Sequence, residues 1–212
     1  MIHFSLFRIP IQIQPFFWVT MALIGGAINA STPDALLKLG LFIIAGFLSI
    51  LIHELGHALT IKAFKLRPAI TLEAFGGYAS YPSGILTRPQ SFLVTAAGPV
   101  IQLVLAGAAF VLLDTPVIKG NENTRYFFDI LFFISAFWAI LNLLPVLPLD
   151  GGQLLNAVLG PARIRITLWV TIITAIVTAL LMIKLTKSFL FPIFMGFFAY
   201  QAYQLLKQHH RR

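Results

Sequence analysis

The chain has no cysteine and only seven acidic residues among 212. The first absence excludes disulfides and thiolate metal sites, so a metal would have to be held by His, Asp or Glu. It says little about compartment. The second accompanies a charged fraction of 10% against 58% hydrophobic residues and a mean hydropathy of +0.89. Those values exclude an ordinary soluble domain and make the bilayer the solvent. The net charge of +8 would suggest nucleic acid in a soluble protein. Here the excess cations flank apolar segments, as Lys and Arg do on the cytoplasmic side of membrane spans, and no nucleic-acid partner is expected.

Read for apolar stretches of about 20 residues, enough to cross the hydrocarbon core, the sequence offers six candidate spans at roughly 14–31, 36–62, 91–113, 126–148, 165–184 and 188–206. The expected fold is an all-α polytopic membrane protein with short β elements. The opening IHFSLFRIPIQIQ alternates polar and apolar like a short strand, and the segment after it lacks a cleavage pattern, so it is expected to be retained. No repeat, low-complexity tract or appended soluble domain is visible. The chain reads as three parts: strand and first span over 1–35, a core over 36–159, and two further spans with a basic tail over 160–212. With an even number of crossings, two thirds of the 15 lysines and arginines fall on one side, among them Arg8, Lys62, Lys65, Arg67 and Arg212. That side is expected to be cytoplasmic, with both termini there and the protein in the cell membrane.

Inside the second span lies HELGH, His53 to His57. An ionisable side chain at the bilayer centre costs about 2.5–3.5 kcal/mol even on the insertion scale, so such a cluster demands a function. Residues four apart on a helix differ by about 40° in direction and about 6 Å in rise, which puts both imidazoles on one face where they can grip one ion. Neutral imidazole suits zinc, and a catalytic zinc takes three protein ligands and leaves a position for water. Glu54, adjacent to the first His, fits the general base of an HExxH motif rather than a ligand. A third ligand must come from elsewhere.

The fourth span runs in the same direction and ends in NLLPVLPLDGG, Asn142 to Gly152. It brings Asp150 toward the membrane depth of the histidines. Pro145 and Pro148 disfavour continuous helix, and Gly151 and Gly152 permit unusual backbone angles, so this helix end is expected to be unwound. Non-helical backbone is tolerated at that depth only where protein or a wet cavity surrounds it.

Together HELGHA and NLLPVLPLDGG resemble the site-2 protease family of intramembrane zinc metalloproteases. The resemblance extends from about residue 3 to 155: FRIPIQIQPFFW is similar to the family's N-terminal strand, FGGYASYP at Phe75–Pro82 to its membrane-associated hairpin, and AAGPVIQ at Ala96–Gln102 to its third core motif. It implies a three-helix catalytic core, one zinc ion per chain held by His53, His57 and Asp150, and cleavage within or beside a substrate's transmembrane segment. Family members commonly carry a smaller polar residue such as Asn where this chain has Gln102.

Three further residues are candidates for substrate contact. Gly76 and Gly77 form either an ordinary turn or part of a hairpin whose edge pairs with an unfolded substrate segment. Asn142 is either a substrate contact or an amide bonding a neighbouring helix. Gly98 and Pro99 read as a packing notch and kink, and the His209-His210 tail as a solvated end. The partners expected are a single-span membrane-protein substrate, the lipid bilayer and a regulatory membrane protein. Two other classes place His and Asp in membrane helices: a metal transporter or zinc sensor, and a catalytically silent substrate-binding relative. The first has little use for Glu54 or LDGG, and the intact set of four residues argues against the second.

Overall fold

The structure, a computed structural model, describes residues 1–82, 84–186 and 190–210. Lys187, Arg211 and Arg212, which entered the charge reading, and the side chains of His209 and His210 lie outside the described set. The chain forms two compact units, Met1–Ile85 with Ala97–Ala139, and Leu86–Ala96 with Ile140–Arg212.

The first unit opens with β1 (Ile2–Leu6) and β2 (Ile9–Ile13), an antiparallel hairpin in which Ile2 faces Ile13 and Leu6 faces Ile9. Its two-residue loop, Phe7–Arg8, has positive φ at both positions, the left-handed pair that matches the twist of adjoining strands. A short helix α1 (Pro15–Ile24) follows, then a single 3-10 turn at Ala27–Asn29, and then α2 (Pro33–Ala63). The start of α2 is written locally. Thr32 accepts from the Ala35 amide at 3.2 Å, Pro33 occupies the first turn where no donor is needed, and Asp34 lies at the positive end of the helix dipole.

After α2 come β3 (Ala69–Glu73) and β4 (Gly76–Ser80). They pair antiparallel with each other, and β3 adds parallel to β2, with Ile11 opposite Ile70. The two short β elements expected separately therefore merge into one sheet of order β1-β2-β3-β4. One face carries Ile9, Ile11, Ile13, Ile70 and Leu72 into a core with Phe17, Met21, Ile50, Leu51, Leu55 and Ala58. The sheet thus covers one stripe of α2, in register with residues 51, 55 and 58.

The opposite stripe of α2 meets α3 (Arg88–Leu113), whose interior holds Pro99. Helix α4 (Pro116–Lys119) is a single turn, and α5 (Glu122–Asn142) follows. Ala45, Ala109 and Leu131 pack together from α2, α3 and α5. At Gly56 the approach to α3 is close: a Cβ there would meet the Ala97 carbonyl oxygen at 2.6 Å and Ile101 Cγ2 at 2.7 Å. Small residues at such crossings let backbones approach where lipid removes any hydrophobic drive between helices.

The second unit contains α6 (Asp150–Leu159), a 3-10 turn at Pro161–Arg163, α7 (Ile164–Thr186) and α8 (Leu190–His210). Val146, Ala175 and Met195 form one buried cluster, and Leu168, Ala202 and Leu206 another.

Four helical segments among the described residues are long and apolar enough to cross a membrane: Pro33–Ala63, Arg88–Leu113, Glu122–Asn142 and Pro161–Leu185. The six expected spans differ from these at three places. The first is only the 10-residue α1, about 15 Å long and half a hydrocarbon core. The fourth stops at Asn142, before Pro145 rather than after it. The sixth is the 21-residue α8, whose last turns carry Gln201, Gln204, Lys207 and Gln208 and fall short of a span's apolar character. The chain is an integral membrane protein, mostly helical with a small sheet.

Candidate metal centre

Ser49, His53 and His57 recur at four-residue spacing on α2, so they share one stripe of the helix. All three are buried, as is Glu54. The two imidazoles stand nearly perpendicular, with ring centroids 4.7 Å apart and Nε2 atoms 3.0 Å apart. At that separation the two Nε2 atoms can hydrogen-bond to each other or, both unprotonated, share one ion.

Gly98 on α3 faces this pair. A Cβ at residue 98 would land on Nε2 and Cε1 of His57 and within 2.9 Å of His53 Nε2. The notch expected from Gly98 is therefore a clearance for the histidine pair. A bare backbone against two converging imidazoles, with no thiolate in the chain, fits a borderline ion such as zinc.

Glu54 points from the same turn toward the sheet. Gly77 lies against it: a Cβ there would come within 2.7 Å of Glu54 Cγ and 3.0 Å of Oε1, and within 2.7 Å of Leu72 Cδ2. Gly77 is therefore a strand residue of β4 that leaves room for the carboxylate. Gly76, at φ +146 with open space around it, is the residue that turns the chain into β4.

In the second unit Asp150 is buried and opens α6. The expected unwinding is found just before it, since residues 143–149 leave the helix between α5 and α6. Leu147 donates its amide to Thr171 Oγ1 at 3.1 Å, which replaces a helical partner. Gly151 and Gly152 are packed so tightly under this segment that a Cβ on either would strike the backbone of Leu143–Leu144 or Val146–Leu147. Asp150 also sits at the N-terminal, positive end of the α6 dipole. At the other end of α6, Arg88 donates through Nε to the Ala157 carbonyl at 3.0 Å and through Nη2 to that of Val158 at 2.6 Å. Asn142, half-buried, is the last residue of α5.

Sequence reasoning left Gln102 without a role and passed over Ser49 and Ser135. All three are fully buried. Gln102 Oε1 lies 2.9 Å from His53 Nδ1, its Nε2 donates to Ser49 Oγ at 2.9 Å, and Ser135 Oγ lies 2.9 Å from Ser49 Oγ. The one signal in the sequence was Ser49, four residues before His53.

Residues 115–184 match the model for peptidase family M50. That stretch includes Asn142 and Asp150 but not the HELGH segment. The chain is 32% identical over 166 residues to a putative zinc metalloprotease of Synechocystis sp., covering 73% of this chain and 42% of that protein. It is 35% identical over 147 residues to stage IV sporulation protein FB of Bacillus subtilis, covering 68% of this chain and 46% of that one. The chain thus spans less than half the length of these curated relatives. Its fold is similar to that of the site-2 protease from Methanocaldococcus jannaschii, with a TM-score of 0.59 at 22% identity over 97% of this chain and 94% of that one. A buried His-Glu-x-x-His helix and an LDGG helix start thus occur in a chain whose residues 115–184 match peptidase family M50 and whose fold is similar to that of a site-2 protease.

Proposed function

We propose that this chain is an intramembrane zinc metalloprotease that hydrolyses a peptide bond within or next to the transmembrane segment of a membrane-protein substrate. One observation carries the reading: His53, Glu54 and His57 are buried together on a span-length helix, with the two Nε2 atoms 3.0 Å apart. In this reading His53, His57 and Asp150 hold one zinc ion per chain, a set of two imidazoles and one carboxylate of the kind a catalytic zinc takes. When bound, the ion supplies Lewis acidity toward a water molecule and the scissile carbonyl. Glu54 takes the proton from that water and delivers it to the leaving amine, as a general base and then acid.

The remaining assignments belong to the same proposal. Gly77 keeps β4 close to Glu54, Gly76 sets the turn before it, and β4 is an edge of the sheet, so an unwound substrate segment can add as a further strand and lie beside the carboxylate. Asn142 offers an amide to that segment. Residues 36–159 form the catalytic core, 1–35 lead into it, and 160–212 follow it. The protein resides in the cell membrane with both termini cytoplasmic, consistent with Lys62 Nζ donating to the Phe7 carbonyl beside Arg8, which puts two of the counted cations at one end. A regulatory membrane partner controls access. Transport or zinc sensing is not favoured, because it gives Glu54 nothing to do.

The test compares membrane proteomes of cells carrying the active protein and Glu54→Gln. Single-span proteins that accumulate uncut only with the variant are expected. An identical pattern in both overturns the reading.

A further inference from the structure

We propose that Gln102, held by Ser49 and Ser135, is a positioning residue that fixes the tautomer of His53 so that its Nε2 lone pair faces the metal position. The inference rests on the zinc reading above and assigns a role to three buried side chains outside the ligand set.

The hydrogen bonds determine which way each group points. Gln102 Nε2 lies 3.4 Å from the Ser49 carbonyl oxygen and 2.9 Å from Ser49 Oγ. A carbonyl oxygen only accepts, so the amide end near Ser49 is the NH2 and the end near His53 is the oxygen. That oxygen only accepts as well. His53 Nδ1, 2.9 Å away, must therefore carry the proton, and in a neutral ring Nε2 then carries the lone pair. Nε2 is the atom that approaches His57 Nε2.

The second tether makes the choice firm. Ser135 Oγ lies within hydrogen-bond reach of Ser49 Oγ at 2.9 Å, so α2, α3 and α5 each contribute to one chain of groups ending on His53. Gln102, Ser49 and Ser135 are all 0% exposed. At membrane depth no solvent replaces a lost partner, and a rotated amide would set two donors or two acceptors against each other. Gln reaches from α3 to both the ring and Ser49, a span that the shorter Asn side chain covers less well. An outer partner of this kind on a ligating histidine typically changes metal affinity by about 10- to 100-fold when lost.

A filler role for Gln102 would predict the opposite ranking of two variants. Gln102→Met keeps the volume and apolar stem but has no acceptor for Nδ1–H. Gln102→Glu keeps the acceptor, and the Ser49 hydroxyl can turn to donate to its second oxygen. Zinc affinity would be measured by chelator competition on purified protein in detergent, with size-exclusion and thermal profiles of the metal-free samples recorded alongside. The expected result is a loss of about 10- to 100-fold for Gln102→Met and near-wild-type affinity for Gln102→Glu. Wild-type affinity in Gln102→Met, or equal loss in both, overturns the proposal. If Gln102→Met does not fold, Gln102→Leu takes its place: it likewise offers no acceptor to Nδ1–H, and unchanged affinity there overturns the proposal equally. Nitrogen and carbon shifts of labelled His53 in the metal-free wild type should report the Nδ1–H tautomer. That signal does not depend on zinc, so a protein that takes up no zinc but shows this tautomer sinks the zinc reading alone, and an Nε2–H ring sinks the positioning role.

Discussion

Gly98 lies against His57 so closely that a single added methyl would occupy the space of the imidazole's Nε2 edge. The clearance reaches His53 as well, at 2.9 Å. A packing notch and the wall beside the histidine pair are therefore one feature of α3.

This predicts a sharp contrast between two glycines of one helix. Gly98→Ala should displace His57 and lower zinc content well below that of the wild type. Gly107→Ala, with nothing within 4 Å of the new methyl, should leave zinc unchanged and, if anything, favour the helix by up to about 1 kcal/mol. Elemental analysis of the two purified variants checks it, and equal zinc content in both would remove the wall from the account.

Gly77 is predicted to matter for chemistry rather than metal. Gly77→Ala pushes on Glu54 and Leu72, so cleavage of a reconstituted single-span substrate should fall while zinc content stays near wild type. Loss of zinc with it would mean that the strand supports the ligands instead.

Glu54→Gln preserves shape and hydrogen bonding but cannot accept the water's proton. Cleavage should fall by at least about 10²-fold, the lower range for a general base, with zinc retained. A variant emptied of zinc would make Glu54 a ligand and reopen the assignment of Asp150.

Asp150→Ala should lose most of the bound zinc, and Asp150→Asn a large part of it, because a neutral amide is a poorer ligand for zinc than a carboxylate. Full retention in Asp150→Ala, measured by elemental analysis, would place the third ligand elsewhere.

For orientation, a reporter fused after Arg67 should read as cytoplasmic and one near Asn121 as external. The reverse pattern in a fusion assay would overturn the charge-based topology.

The sequence by itself determined the solvent, the helix-forming segments and the principal chemistry. Apolar runs are long-range averages that tertiary packing does not alter, and HELGH lies on one helix whose spacing alone aligns His53 with His57. The break before Asp150 was likewise written in Pro145, Pro148 and the paired glycines. What the tertiary structure decided were relations between elements distant in the chain. A strand and a hairpin read separately in the sequence join through the parallel pairing of Ile11 with Ile70, because both present isoleucines to the same stripe of α2. Apolar character made the segment at 14–31 look like a span, yet its helix ends after 10 residues at Ile24, with Gly25 packed under Leu39 and Phe42. Gln102, Ser49 and Ser135 are ordinary polar residues in three separate helices. Only the close crossing of those helices brings them onto His53, and no local propensity or period encodes that meeting.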